Sequence, residues 1–165
     1  EDLGHLNNYL SILEMRFGSR FEYKIDIAPE CMQCLIPKLV LQPMIENSVK
    51  YGFGNQLNLH VELKAYIHEE KMMMICRDDG VGMSAPLVEK LRTLMTQKEA
   101  PGRHSGLYNI HRRIQLLYGY PYGVEIRSLE GHGTTLVVTL PAVTEKNVHS
   151  VQGDNNDASG NDSGR

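Results

Sequence analysis

Apolar residues fall on a single face of nearly every element that this sequence predicts. Between Asn58 and Ile67, every second residue is apolar, which is the period of a strand with one buried face. The N-terminal segment 1–17 instead spaces its leucines by three and four residues, as an amphipathic helix does. One-sided strands and one-sided helices bury their apolar faces against each other. The sequence therefore predicts a two-layer α/β sandwich.

The remaining elements are predicted from the same two spacings or from apolar runs, such as the central strand at 72–76. Further strands are predicted at 21–27, 72–76, 122–129 and 134–140, and further helices at 35–51, 86–95 and 107–118. Glu69-Glu70 is predicted to be a hairpin turn. Pro37 suits a first helical turn, whereas Pro43 is expected to kink the same helix. The order of elements predicts an α+β fold, with a mixed, mostly antiparallel sheet and its helices on one face.

Composition and charge exclude several classes of protein. Hydrophobic residues make up 41% of the 165 residues, enough to build a core. The net charge of −3, from 17 basic and 20 acidic residues, excludes a strongly basic nucleic-acid binder. No apolar stretch approaches the roughly 20 residues that span a bilayer. Three cysteines cannot form a disulfide scaffold. With no signal-peptide pattern at the N-terminus, we expect a soluble domain in the cytoplasm.

The composition changes after Pro141. Residues 144–165 contain no aromatic residue and are rich in Asn, Asp, Ser and Gly. A segment with so few apolar side chains cannot offset the entropy lost on folding. We therefore expect a disordered polar tail over residues 143–165.

The first polar motif lies on the helix predicted at 35–51. Residues Glu46, Asn47, Lys50 and Tyr51 are linked by steps of one, three and four positions, which predicts that they share one face. A carboxylate beside an amide oxygen suits a hard cation such as Mg²⁺. A lysine one turn later can contact phosphate oxygens. The alternative is a solvated helix edge with one Glu–Lys pair.

The second motif is Asp78-Asp79-Gly80-Val81-Gly82, which follows an apolar strand. An acidic residue at a strand end can accept a hydrogen bond from an exocyclic amine in a pocket. The two glycines allow close approach of the backbone to a flat ligand. The alternative is an ordinary tight turn, in which Asp and Gly are common.

The third motif leads into the helix predicted at 107–118 and reads Gly102-Arg103-His104-Ser105-Gly106-Leu107. A glycine-containing loop that enters a helix presents free N–H groups to an anion. Neither a Walker loop nor a dinucleotide-binding fingerprint occurs in the sequence. The alternative is a surface loop with a helix cap.

Taken in order, these motifs resemble the ATP-binding catalytic domain of sensor histidine kinases. This domain belongs to the GHKL superfamily of Bergerat-fold ATPases. The family's N box is similar to LVLQPMIENSVKYGF, its G1 box to RDDGVGM, and its G2 box and following helix to HSGLYNIHRRIQLLYG. Its closing strand is similar to GHGTTLVVTLP. The first twenty residues resemble the end of the dimerisation helix, or connector, in the autolysin-regulator-like subfamily. The ATP-binding domain then covers residues 21–142.

The resemblance implies roles for the N-box residues. Asn47 is the implied ligand of Mg²⁺. Lys50 and Tyr51 are implied to face the phosphates and ribose of ATP. Glu46 is a candidate to polarise a metal-bound water or the attacking group. The implied catalytic residues are therefore Glu46, Asn47 and Lys50.

The resemblance also implies contacts for the other boxes. Asp78 would accept from the adenine amino group, and Gly80 and Gly82 would let the chain pass close to the base. Met83 would pack near adenine or the loop over it. The resemblance also implies that the backbone at Gly106 and Leu107 binds phosphate. It implies that Thr134 lies behind Asp78.

The activity implied is transfer of the γ-phosphoryl group of ATP to a histidine on dimerisation helices upstream of this chain. Implied partners are a response regulator and a second copy of a membrane-anchored parent protein; this chain itself would not enter the membrane. The alternatives are a degenerate domain that works as a regulatory or partner-binding module, and a serine kinase of the same superfamily. Two departures from the family pattern stand out. Asp79 replaces the more usual Asn and adds negative charge near the nucleotide, and His104 replaces a glycine.

Overall fold

The computed structural model describes residues 2–98 and 106–147. Four α-helices and five strands lie in these residues. The helices are α1 (Asp2–Phe17), α2 (Leu41–Gly52), α3 (Ala85–Thr96) and α4 (Gly106–Tyr118). The strands are β1 (Phe21–Ile27), β2 (Leu59–His68), β3 (Lys71–Asp78), β4 (Gly123–Ser128) and β5 (Thr134–Pro141). Short 3₁₀-helices occupy Gly18–Arg20 and Pro29–Gln33.

The five strands form one sheet in the order β1-β2-β3-β5-β4. β1 pairs with β2 in parallel, and the other three pairs are antiparallel. α2 is therefore the crossover helix between two parallel strands. The β3–β5 ladder ends at the pair Asp78–Thr134. The predicted mixed, mostly antiparallel sheet is confirmed.

Burial alternates along the strands because successive side chains point to opposite faces of the sheet. In β2, Leu59, Val61 and Leu63 are buried, whereas His60 and Glu62 between them are only half-buried. Leucine and isoleucine side chains on the inner faces of the helices complete a single apolar core. The helices thus cover one face of the sheet and leave the other open, as the sequence predicts.

The predicted helix over 35–51 is wrong in its N-terminal part. α2 begins only at Leu41, whose N–H donates to the carboxylate of Asp2 in α1. Pro37 precedes the helix, and Pro43 lies in its first turn. The N–H groups of a first turn have no partner within the helix, so a proline there removes no hydrogen bond. The kink expected at Pro43 has no cause in this position.

The end of β3 matters for the site. β3 continues to Asp78, beyond the predicted strand at 72–76, so the acidic residue is the last of the strand.

The predicted turn at Glu69 and Glu70 is confirmed. Both residues have left-handed φ angles, +47° and +61°, as a two-residue hairpin between twisted strands requires.

Part of the predicted polar tail lies within the described residues. Val143 is buried, and its carbonyl accepts from the N–H of Leu35. The described residues of the predicted tail extend to Asn147. The rest of the predicted tail, and residues 99–105 with His104, lie outside the described residues. Among the described residues, every helix falls short of the length and apolar character needed to cross a membrane.

Candidate functional site

A buried carboxylate stands at the end of the central strand β3. Asp78 is 3% exposed, and its Oδ1 accepts from the N–H groups of Gly80 at 3.0 Å and Thr134 at 3.2 Å. The first N–H follows two residues later in the chain, and the second comes from the paired strand β5. One oxygen of the carboxylate is thereby fixed by backbone. This arrangement orients the carboxylate as an acceptor for a ligand.

Burial raises the pKa of Asp78 above its ordinary value. Hydrogen bonds from Gly80, Ser48 and Thr134 oppose this rise because they favour the charged form, and the nearby charge of Asp79 adds to it. Ser48, one residue after Asn47, was not predicted as a site residue. Its hydroxyl also lies 3.5 Å from the Cys76 sulfur. Its position next to the N-box asparagine was the available signal.

The glycines of the second motif allow backbone to pack on backbone. A Cβ at Gly80 would lie 2.4 Å from the Cα of Gly52, at the end of α2. Gly82 has φ +70°, and a Cβ there would lie 2.1 Å from the carbonyl oxygen of Leu129. Both contacts are too short for any side chain. The turn that contains Gly80 and Gly82, here called the glycine turn, thus packs tightly between α2 and the β4–β5 turn. Its contact with a base stays a prediction.

Thr134 and Met83 are joined through Ser128, a residue that the sequence motifs did not indicate. The Ser128 hydroxyl lies 2.7 Å from the Thr134 hydroxyl and accepts from the Met83 N–H at 2.8 Å. Ser128 and Thr134 are register partners at the start of β5. Met83 is 2% exposed and belongs to the core. Its predicted contact with adenine therefore requires the base to reach the core edge.

Asn47 faces inward from α2. It is 7% exposed, and its Nδ2 is buried without a hydrogen-bond partner among the described residues. An unsatisfied buried amide costs about 1–3 kcal/mol, so it is expected where a ligand completes the site. Glu46 beside it is half-buried and accepts from Gln42 at 2.8 Å. The structure thus places amide and carboxylate side by side on α2.

Lys50 and Tyr51 occupy the last turn of α2. Lys50 is exposed, and its Nζ lies 5.0 Å from the centre of the Tyr51 ring. This is a cation–π contact. Because the lysine side chain is flexible, its Nζ could move from the ring to an anionic ligand. The contact with phosphate predicted for Lys50 and Tyr51 stays a prediction.

The start of α4 adjoins the start of α2. Gly106 is the first residue of α4, and a Cβ at this position would lie 3.3 Å from the Cβ of Pro43. The Leu107 side chain is buried in the core, so only its backbone is available to a ligand. Gly106 and Leu107 contribute first-turn N–H groups, which are those that anions bind.

Asp79 does not face the same side as Asp78. Its Oδ1 accepts from the N–H of His60 at 2.8 Å, and it lines a cavity of about 350 Å³ with Glu62 and His132 on the open face of the sheet. Asp78 borders this cavity, but Asn47 does not. The charge of Asp79 is thus directed away from the helices. We therefore place the candidate site on the helix-covered side.

Comparison with protein families identifies the family to which this site belongs. The family described as "Histidine kinase-, DNA gyrase B-, and HSP90-like ATPase" matches residues 35–144, which include α2, Asp78, both glycines and Thr134. The chain belongs to this ATPase family. Membership implies that the chain binds ATP.

Relatives with curated names are sensor kinases. The chain is 33% identical over 148 residues to "Sensor histidine kinase YesM" of Bacillus subtilis, covering 88% of this chain and 24% of that protein. It is 26% identical over 141 residues to "Sensor protein kinase HptS" of Staphylococcus aureus, covering 86% of this chain and 27% of that protein. The chain therefore spans about a quarter of the length of these relatives.

Solved structures confirm the ATPase family's fold. The chain matches the catalytic domain of the histidine kinase ThkA with a TM-score of 0.57 at 14% identity, covering 86% of this chain and 93% of that one. It matches the histidine kinase domain from Erythrobacter litoralis EL346 with a TM-score of 0.59, also at 14% identity, covering 92% and 64%. The predicted Bergerat fold is thus confirmed.

Proposed function

We propose that this chain is the ATP-binding catalytic domain of a sensor histidine kinase. It binds ATP with Mg²⁺ and donates the γ-phosphoryl group to a histidine on dimerisation helices outside this chain. The observation that carries the proposal is the Asp78 carboxylate, which is fixed by two backbone N–H groups and buried at a strand end within an ATPase family domain. The relative named "Sensor histidine kinase YesM" supports the choice of a histidine as acceptor.

The donor set of α2 fits Mg²⁺. This ion prefers oxygen ligands and keeps several waters and substrate phosphates in its shell, so few protein ligands suffice. Asn47 offers an amide oxygen as a ligand, while its buried Nδ2, which lacks a partner among the described residues, is a donor that a phosphate oxygen could satisfy. Bound there, Mg²⁺ would neutralise charge on the phosphates.

The protein's own residues position the nucleotide. Asp78 accepts from the adenine amino group, while Lys50 and the first N–H groups of α4 at Gly106 and Leu107 hold phosphate oxygens. In the transfer, a ring nitrogen of the acceptor histidine forms a bond to the γ-phosphorus as the bond to the bridging oxygen breaks. ADP leaves with that electron pair. Such a step demands mainly alignment and charge neutralisation from the protein.

The partners follow from the same proposal. The acceptor histidine belongs to dimerisation helices that precede α1, and a response regulator receives the phosphoryl group. The parent protein is a homodimer anchored in the membrane, with this domain in the cytoplasm. The regulatory module and the serine kinase predict different outcomes in the assay that follows.

A phosphotransfer assay tests the proposal. The 165-residue chain is mixed with a separate dimerisation-helix fragment from a relative, with ATP labelled at the γ-phosphate and with or without Mg²⁺. We expect acid-labile label on a histidine of the fragment only with Mg²⁺ present. Nucleotide binding without transfer would favour the regulatory module, and acid-stable label on serine would favour the serine kinase. Failure of the wild type to bind nucleotide would refute the proposal.

A further inference from the structure

The N-terminus of α2 receives its cap from another helix. Val40 occupies the N-cap position, where its apolar side chain accepts no hydrogen bond. The Asp2 carboxylate of α1 instead accepts from the N–H of Leu39 at 2.6 Å through Oδ1 and of Leu41 at 3.1 Å through Oδ2. A carboxylate at this end also interacts favourably with the helix dipole. α1 therefore supplies what the local sequence of α2 lacks.

The same short segment is held from a third helix. Arg113 of α4 donates through Nη1 to the carbonyl of Lys38 at 2.6 Å and through Nη2 to that of Leu39 at 3.2 Å. Leu39 has φ +58°, a left-handed conformation that costs a non-glycine residue about 1–2 kcal/mol. Both its N–H and its carbonyl are bound. We call residues 38–41 with Asp2 and Arg113 the three-helix junction.

The opposite end of α2 is anchored beside the adenine acceptor. The carbonyl of Gly52 accepts from the N–H of Val81 at 2.9 Å, and Gly80 packs directly on the Gly52 backbone. α2 is thus fixed at its C-terminus to the glycine turn and at its N-terminus to the junction. If the junction loosens, the helix pivots about Gly52. Asn47, between the two anchors, then moves relative to Asp78, whose own N–H donors lie outside α2.

We propose that Asp2 and Arg113 are positioning residues for the nucleotide site. They hold the N-terminal half of α2 so that Asn47 and Lys50 meet the metal and phosphates, and they couple any displacement of α1 to that geometry. Rigid elements with defined anchors carry such coupling between sites. The inference rests on the proposed function for its ligand. Its geometry rests on the hydrogen bonds of the junction alone.

Hydrogen exchange tests the junction without any ligand. The full chain is compared with the variants Asp2→Asn and Arg113→Gln, and with Asp26→Asn as a control. Asp26 is an exposed acid of β1, so its change removes the same charge without touching α2. We expect the amides of residues 45–47, the first in α2 that can bond to a carbonyl of the same helix, to exchange roughly twofold to thirtyfold faster in both junction variants. Exchange in β3 and in the control should not change. Unchanged exchange over 45–47 would overturn the inference.

Binding tests the coupling. We expect Asp2→Asn and Arg113→Gln to weaken Mg-ATP binding by roughly threefold to thirtyfold. Adenosine, which lacks phosphates, should bind within about twofold of wild type, and Asp2→Glu should recover most of the loss because it restores a carboxylate. A general loss of folding would weaken both ligands equally and would not be rescued. Equal losses for both ligands, or unchanged Mg-ATP binding, would therefore overturn the coupling.

Failure of the proposed function gives a different result. If the proposed function is wrong, the wild type itself binds neither Mg-ATP nor adenosine. There is then no nucleotide site for the junction to position. If the wild type binds and the junction variants bind equally well, the proposed function stands and this inference is wrong.

Discussion

Asp78 and Thr134 are the last register partners of the β3–β5 ladder, and the Thr134 N–H donates to Asp78 Oδ1 at 3.2 Å. The pairing adds a donor fixed by sheet geometry to the Gly80 N–H, which comes from the turn after β3. It also makes the carboxylate separable from the fold, because the backbone pairing of β3 with β5 does not require a particular side chain at position 78.

The first prediction concerns Asp78→Asn. An amide can keep one oxygen for the Gly80 and Thr134 donors, but it then turns an NH₂ group towards the adenine amine. Two donors facing each other leave both unsatisfied, which costs about 1–3 kcal/mol. We expect adenosine and ATP affinity to fall by roughly tenfold or more, measured by calorimetry. The midpoint of thermal unfolding should stay within a few degrees of wild type, because a desolvated charge is removed. Wild-type affinity in the variant would contradict the assignment of Asp78.

The second prediction concerns Asn47→Leu. Leucine has the same branching at Cγ and removes the buried amide whose Nδ2 has no partner among the described residues. We expect the free energy of unfolding to stay the same or to rise by about 1 kcal/mol, since an unsatisfied polar group is lost. Mg-ATP binding should lose its dependence on Mg²⁺. Retained Mg²⁺ dependence, followed by titration at fixed nucleotide, would refute the role of Asn47.

The third prediction concerns Gly80→Ala. The added Cβ would meet the backbone of Gly52 at 2.4 Å, and neither backbone can move without disturbing α2 or β3. We expect a loss of about 1–3 kcal/mol in the free energy of unfolding, measured by urea denaturation. Gly4→Ala is the matched control, because a Cβ at this α1 position meets nothing within 4 Å. Alanine is a better helix former than glycine, so the control should be stabilised by about 0.5–1 kcal/mol.

The fourth prediction concerns His111 and pH. Its Nδ1 accepts from the N–H of Val124 at 2.9 Å, and burial, followed by the charge of Arg112, lowers the pKa of His111 below 6.5. Protonation would replace the acceptor with a donor. The native state therefore binds this proton less readily than the unfolded chain, so its stabilising contribution is present above about pH 6.5 and is lost as the pH falls below that value.

The test compares wild type with His111→Asn at pH 7.5 and pH 5.5. An asparagine Oδ1 can accept from the Val124 N–H but does not titrate. We expect wild type to lose more stability than the variant over this interval. The raised pKa of Asp78 acts in the opposite direction and is common to both proteins, so the difference between them isolates His111. Equal pH dependence in the two proteins would show that His111 does not titrate as described.

Local patterns were sufficient to predict the architecture. Apolar spacing and apolar runs identified the five strands and four α-helices of the described residues, and the acid-glycine turn identified Asp78. The start of α2 was mispredicted because its cap comes from Asp2, 39 residues away, and no local pattern carries that information. For the same reason Ser128 was missed, since its link to Met83 and Thr134 depends on the pairing of β4 with β5. The contact of Asp79 with the His60 N–H on the open face of the sheet also depends on strand pairing and has no local signal.

The wide separation of the two groups that hold Asp78 also bears on how the domain is made. Gly80 lies two residues from the carboxylate, but Thr134 lies 56 residues further along the chain. During synthesis, β3 leaves the ribosome long before β5 can pair with it. A nascent chain that ends before β5 has the acidic residue without the Thr134 N–H that helps to fix it. The proposed adenine site is therefore complete only once β5 has paired with β3, and we expect truncated translation products that lack β5 to bind ATP more weakly than the full chain.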